Sequence, residues 1–200
     1  MRYWRGFALW RRSINGFNDS ADPAELEKDL KQAFAEFSEA TKKDPTFVDA
    51  TVGMISCLGY RAFMHRQDQP RARELVGQMY PLIAQAKQSA PDNPRLLWVL
   101  GPVLWNTPPE RGGGPEKAHE NNERALELCS KTQTSSDPLE PSWGRPELMM
   151  SVAYGHLTKS TPDLAAAERL ARGALEIVPY WRYLRDILLP QILEAKTKAN

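Results

Sequence analysis

One spacing of small and apolar residues returns four times along this chain, and it limits the folds available more than any other feature. Ala33-x3-Phe37-x2-Ala40-x4-Pro45 is followed by Met79-x3-Ile83-x2-Ala86-x4-Pro91, Ala118-x3-Asn122-x2-Ala125-x4-Ser130 and Ala167-x3-Ala171-x2-Ala174-x4-Pro179. Residues seven apart lie two turns apart on one helical face, and small ones let a neighbouring helix come close. The proline that follows stops the helix, because it has no N–H and its ring clashes with the preceding turn. Four copies predict antiparallel helix pairs stacked one after another.

Hydrophobic periodicity along the rest of the chain agrees. Tyr3, Phe7, Trp10, Ile14 and Phe17 recur at spacings of three and four, as on the apolar stripe of a helix. Asp22 precedes Pro23 as an N-cap for a second helix carrying Leu26, Leu30, Ala33, Phe37 and Ala40. A third helix follows with Phe47, Ala50, Met54, Ile55, Leu58 and Ala62 inward. The fourth opens at Pro70, with a kink expected near Gly77 because Pro81 lies inside it. Ala90-Pro91-Asp92-Asn93-Pro94 turns into a fifth helix, and Pro115 and Pro146 begin the sixth and seventh. The eighth spans about Pro162 to Val178, and Tyr180 to Ala195 reads as a capping helix. No segment alternates with period two, so the expected class is all-α.

At these residues the chain resembles the tetratricopeptide repeat proteins, whose units follow W-x2-L-G-x2-Y, then A-x3-F, then P. Leu97-x2-Leu100-Gly101, Tyr154-Gly155 and, more loosely, Trp4-x2-Phe7-Ala8 match the first-helix signature; the four spacings above match the second. The resemblance implies a single domain over residues 1–200. It would be a right-handed superhelix of about four antiparallel helix pairs, at 3–45, 46–91, 92–131 and 145–179, with a cap at 180–197. Ala40, Ala86, Ala125 and Ala174 are separated by 46, 39 and 49 residues, longer than the standard unit of about 34. First helices in this family line a concave groove. That places Arg5, Arg12, Asp49, Val52, Ser56, Arg95, Trp98, Trp105, Met149, Val152 and His156 on a partner-facing surface. Alternatively, Trp98 and Trp105 fill core between the lengthened helices.

Charge narrows the partners. With 26 basic and 25 acidic residues and a net charge of +1, the chain lacks the basic excess of a nucleic-acid binder, and no nucleic-acid partner is expected. Arg2, Arg5, Arg11 and Arg12 make the first dozen residues locally basic. No run of about 18 apolar residues appears, so no membrane insertion is expected. Met1 runs directly into an aromatic helix; an export leader removed ahead of it would make the protein periplasmic or secreted, and otherwise it is cytoplasmic. Cys57 and Cys129 are too few for a disulfide framework. They read as buried free thiols, with a bond between them left open.

Sites of chemistry are sparse. Glu110-Arg111-Gly112-Gly113-Gly114-Pro115 could cradle an anion on backbone N–H groups, but no strand precedes it and no Lys-Ser/Thr follows. A close turn against the adjacent helix is the expected role. Glu116-x2-His119-Glu120-x2-Glu123 puts an imidazole and carboxylates on one helical face. Di-metal bundles need a second such motif, and His65 and His156 lack that company in sequence. An ordinary charged face follows, with no metal or cofactor expected. No nucleophile–base–orienter set is recognisable, so the protein is expected not to be an enzyme. The expected function is a scaffold holding a protein or peptide in a groove. The alternative is an extracytoplasmic small-solute binder or transport accessory of the same fold.

Overall fold

The computed structural model describes residues 1–132 and 135–199. Gln133 and Thr134, within the expected Lys131–Gly144 loop, lie outside the described residues, as does Asn200. The described chain is all-α, with no strand. It comprises α1 (Arg2–Gly16), α2 (Pro23–Lys43), α3 (Val48–Met64), α4 (Gln69–Ser89), α5 (Pro94–Trp105), α6 (Pro115–Lys131), α7 (Arg145–Thr158), α8 (Leu164–Ile177) and α9 (Leu189–Ala199). Two compact units divide it, Met1–Pro91 and Asp92–Asn200.

Helix starts follow the side chains able to satisfy the first free N–H groups. Asp22 accepts from the Ala24 N–H at 2.9 Å, and Asn93 accepts from Arg95 and Leu96, each ahead of a proline at the first turn. Asp68 and Asp163 cap α4 and α8 in the same way. At α7 the cap runs in reverse: the buried Glu147 reaches back to accept from the Gly144 N–H at 3.0 Å. The helix continues through Gly77 and Pro81 in α4. Both residues are exposed, so the Gly77 carbonyl that proline leaves without its helical donor faces water.

In the first unit, α1 packs on α2, α2 on α3 and α3 on α4, and α1 also meets α3. Phe37 of α2 fixes how closely these helices approach. A Cβ added at Gly6 of α1 would lie 3.0 Å from its ring, and one at Gly53 of α3 would lie 2.5 Å from it. The buried stripe of α1 is accordingly Tyr3, Gly6, Trp10, Ser13 and Gly16, while Phe7, Ile14 and Phe17 of the expected stripe are half-buried. Trp10 donates its indole N–H to Ser56 Oγ of α3 at 2.9 Å. Parallel contacts extend that seam from Tyr3 on Phe47 to Phe17 on Tyr60.

Ion pairs hold α2 between its neighbours. Arg2 and Arg5 reach the buried Glu36, and Arg12 makes a bidentate pair with the buried Asp29. Two cations seven apart on α1 thus meet two acids seven apart on α2 in reverse order, as antiparallel helices require. On the other side Glu27 accepts from Arg61 of α3 at 3.1 Å and pairs with Lys31 at 3.2 Å.

In the second unit α5 packs on α6, α6 on α7, and α7 on α8. The C-terminal part closes an alanine-lined core of Ala153, Ala167, Ala171 and Ala174 with Leu184, Leu188 and Ile192. Leu184–Leu188 is a π-helical turn leading straight into α9. Its wider winding precedes Pro190, whose missing N–H and bulky ring a regular α-turn would have to absorb.

Two outcomes test this packing. Gly53→Ala drives a Cβ into the Phe37 ring and is expected to cost about 1–3 kcal/mol, recovered in part by Phe37→Leu; denaturant unfolding of the double-mutant cycle measures it. Burial pushes the Glu27 carboxyl up, but the hydrogen bonds and charges of Lys31 and Arg61 outweigh it and hold the group below its ordinary 4.5. Its contribution is therefore complete above 4.5 and is lost as pH falls through the lowered folded value. The melting-temperature gap between wild type and Glu27→Gln should narrow as the solution is acidified through that window.

Candidate functional site

The residues expected to face a partner divide sharply by unit. In the first unit Asp49, Val52 and Ser56 are buried, because Asp49–Leu58 of α3 is covered on every side. Ser56 receives the Trp10 indole N–H. Arg5 and Arg12 keep exposed side chains, but their guanidinium groups are directed to Glu36 and Asp29. The basic start of the chain thus works as a tie between α1 and α2.

In the second unit Arg95, Trp98 and Trp105 lie along the α5–α7 seam. Trp98 donates its indole N–H to Ser151 Oγ at 3.0 Å and meets Trp143 edge-on at 6.0 Å. Arg95 lies 5.8 Å over the Trp143 ring and donates to the Trp143 carbonyl at 3.4 Å. Farther along, Trp105 and Tyr154 form a tilted ring pair at 5.8 Å, each 37% exposed. Val152 is buried, and Met149 packs against the alanine-lined core. Trp143 and Tyr154 were not singled out for this face. Their signal is only that large aromatics stand in the turn before α7 and at an exposed helical position.

The glycine-rich turn is structural. Gly112, Gly113 and Gly114 donate their N–H groups to Pro109, Pro108 and Leu104 carbonyls at 2.9, 3.2 and 2.9 Å, so none points outward for an anion. Gly112 and Gly114 sit at φ 81° and 106°, where a side chain would be strained. The two cysteines are free, and burial pushes both thiols up, away from the thiolate that reactivity requires.

The charged face of α6 is more than a set of surface pairs. The sequence leaves His156 without companions, but α7 packs against α6 and brings the His156 ring to 5.1 Å from the His119 ring, nearly perpendicular to it. Glu123 Oε1 lies 3.2 Å from His119 Nε2 and 3.7 Å from His156 Nε2. One donor atom from each of the three residues falls within 4.8 Å of the other two. Lys159 Nζ stands 3.1 Å from His156 Nδ1. Burial, Lys159 and His119 hold the His156 imidazole below its ordinary value.

Gly155 makes this arrangement possible. A Cβ there would lie 2.1 Å from His119 Nδ1, so any side chain at that position would push the ring out. Nδ1 itself is buried and has no hydrogen-bond partner. Comparison of the chain with protein-family models and with curated proteins returns no match.

Proposed function

We propose that this chain is a tetratricopeptide-like scaffold that binds a protein or peptide and does no chemistry on it. The α5–α7 face of the second unit would be its main contact surface. The superhelical stacking and concave groove of such arrays belong to this proposal. What supports the architecture is a linkage made twice. Trp10 to Ser56 and Trp98 to Ser151 each join the first helices of successive pairs, at 2.9 and 3.0 Å. First helices lying side by side are the geometry from which a repeat array builds a continuous binding face.

The observation that carries the partner reading is the Trp105–Tyr154 pair. Two large rings on neighbouring helices, both partly in water, form an apolar patch of the kind that anchors interfaces. Trp98 and Trp143 continue it toward Arg95. The fitting partner is a peptide segment presenting an aromatic or aliphatic side chain, with a carboxylate toward the Arg95 end.

The test is peptide selection on the full chain, followed by Trp105→Ala with Tyr154→Ala. Affinity for a selected peptide is expected to fall several-fold to about a hundredfold while the fold persists, in line with anchors worth about 2 kcal/mol. Undiminished affinity in the folded double variant defeats the proposal. Trp98→Ala should behave differently, lowering stability by about 3 kcal/mol through lost packing and the orphaned Ser151.

A further inference from the structure

We propose that His119, Glu123 and His156 form a binding site for one divalent transition-metal ion, with Zn²⁺ the ion its donors suit. Two imidazole nitrogens and a carboxylate oxygen are the mixed set that Zn²⁺ takes in three-ligand sites, with water completing the tetrahedron. Bonds of about 2.0–2.1 Å at tetrahedral angles hold donor atoms about 3.3–3.5 Å apart. The Nε2 to Oε1 distances of 3.2 and 3.7 Å bracket that value. Shifts of a few tenths of an ångström, small for side chains, would bring both into range.

Two observations separate this cluster from an incidental surface pairing. The first is Gly155. With a Cβ at position 155 the His119 ring could not lie where it does, which is with Nε2 3.2 Å from Glu123 Oε1. The second is the buried Nδ1 of His119, which has no hydrogen-bond partner. A histidine serving only as packing would be replaced at lower cost by an apolar ring, and the matching position of the first motif copy is Phe34. Nor does a purely hydrogen-bonded cluster account for the geometry. Both imidazoles converge on the single oxygen Oε1, and His156 at 3.7 Å is beyond hydrogen-bonding reach of it.

Lys159 supplies the internal competitor. Its ammonium donates to His156 Nδ1 at 3.1 Å, which leaves the His156 proton on Nε2. Coordination through Nε2 moves that proton to Nδ1 and displaces Lys159 toward solvent. Lys159→Met should therefore tighten metal binding, whereas in a hydrogen-bonded cluster the same change would only remove a contact.

Titration of the full chain with Zn²⁺ by calorimetry, with Co²⁺ absorption reporting coordination geometry, tests the site. One ion per chain and a tetrahedral Co²⁺ spectrum are expected. His156→Gln and Glu123→Gln should each weaken binding by about tenfold or more, and His65→Gln should leave it unchanged. Gly155→Ala should weaken it without removing a ligand, while its helix content is kept or raised. Because His156 lies at the margin of α7, its variant keeps the test valid if His119 substitutions unfold the protein. Absence of stoichiometric binding by wild type, or binding unaffected by His156→Gln and Gly155→Ala, would overturn the site. Neither outcome bears on the peptide face, which is read through Trp105 and Tyr154.

Discussion

The packing of the first unit depends on how closely α2 approaches α1 and α3, and one ring lies against a glycine of each neighbour at that approach. Phe37 occupies the space that side chains at positions 6 and 53 would need. The gain is dense packing across three helices from a single aromatic group. The constraint is severe, because neither glycine can acquire a methyl without moving Phe37. Around that wedge several polar groups are paired locally: Glu36 and Asp29 with arginines of α1, and the Trp10 indole with Ser56. Each pairing answers the cost of placing a charge or N–H in a dry interface.

The second unit keeps the scheme and changes its chemistry. Asn122, the motif counterpart of Phe37, lies against Gly101, and His119 lies against Gly155. Asn121 donates to the Leu97 carbonyl at 2.7 Å, fastening α6 to α5 through a polar group. Amide and imidazole groups stand at these close approaches, where the first unit has an aromatic wedge. Polar groups there give up apolar burial that a ring such as Phe37 provides.

Much of the fold was legible because it is written in local signals. Asp22-Pro23, Asn93-Pro94 and Pro115 mark helix starts by capping chemistry, and the starts lie within one or two residues of those marks. The class as all-α follows from the same periodicity. Less legible was which face of a helix would be wet. Asp49 and Ser56 look like groove residues on a helical wheel, but α3 is enclosed by its neighbours, and no local pattern announces that a polar side chain will find a buried partner. Arg5 and Arg12 show the same limit: their acids lie on α2, and only the antiparallel register pairs them.

The histidine cluster lies at the far end of that scale. His119 and Glu123 share a helical face by spacing alone, so the i,i+4 pair is visible in the sequence. His156 is thirty-seven positions away from His119, beyond a loop and on another helix. One local clue did exist. Tyr154-Gly155 reads as a close-packing step in the repeat signature, and close packing is what the glycine provides. The signature does not reveal which neighbour needs the room. Here that neighbour is an imidazole, and the residue after the glycine is the second imidazole. The glycine at the α6–α7 contact thus also determines whether His119 and His156 can meet, so tertiary packing and the candidate donor set depend on the same missing side chain.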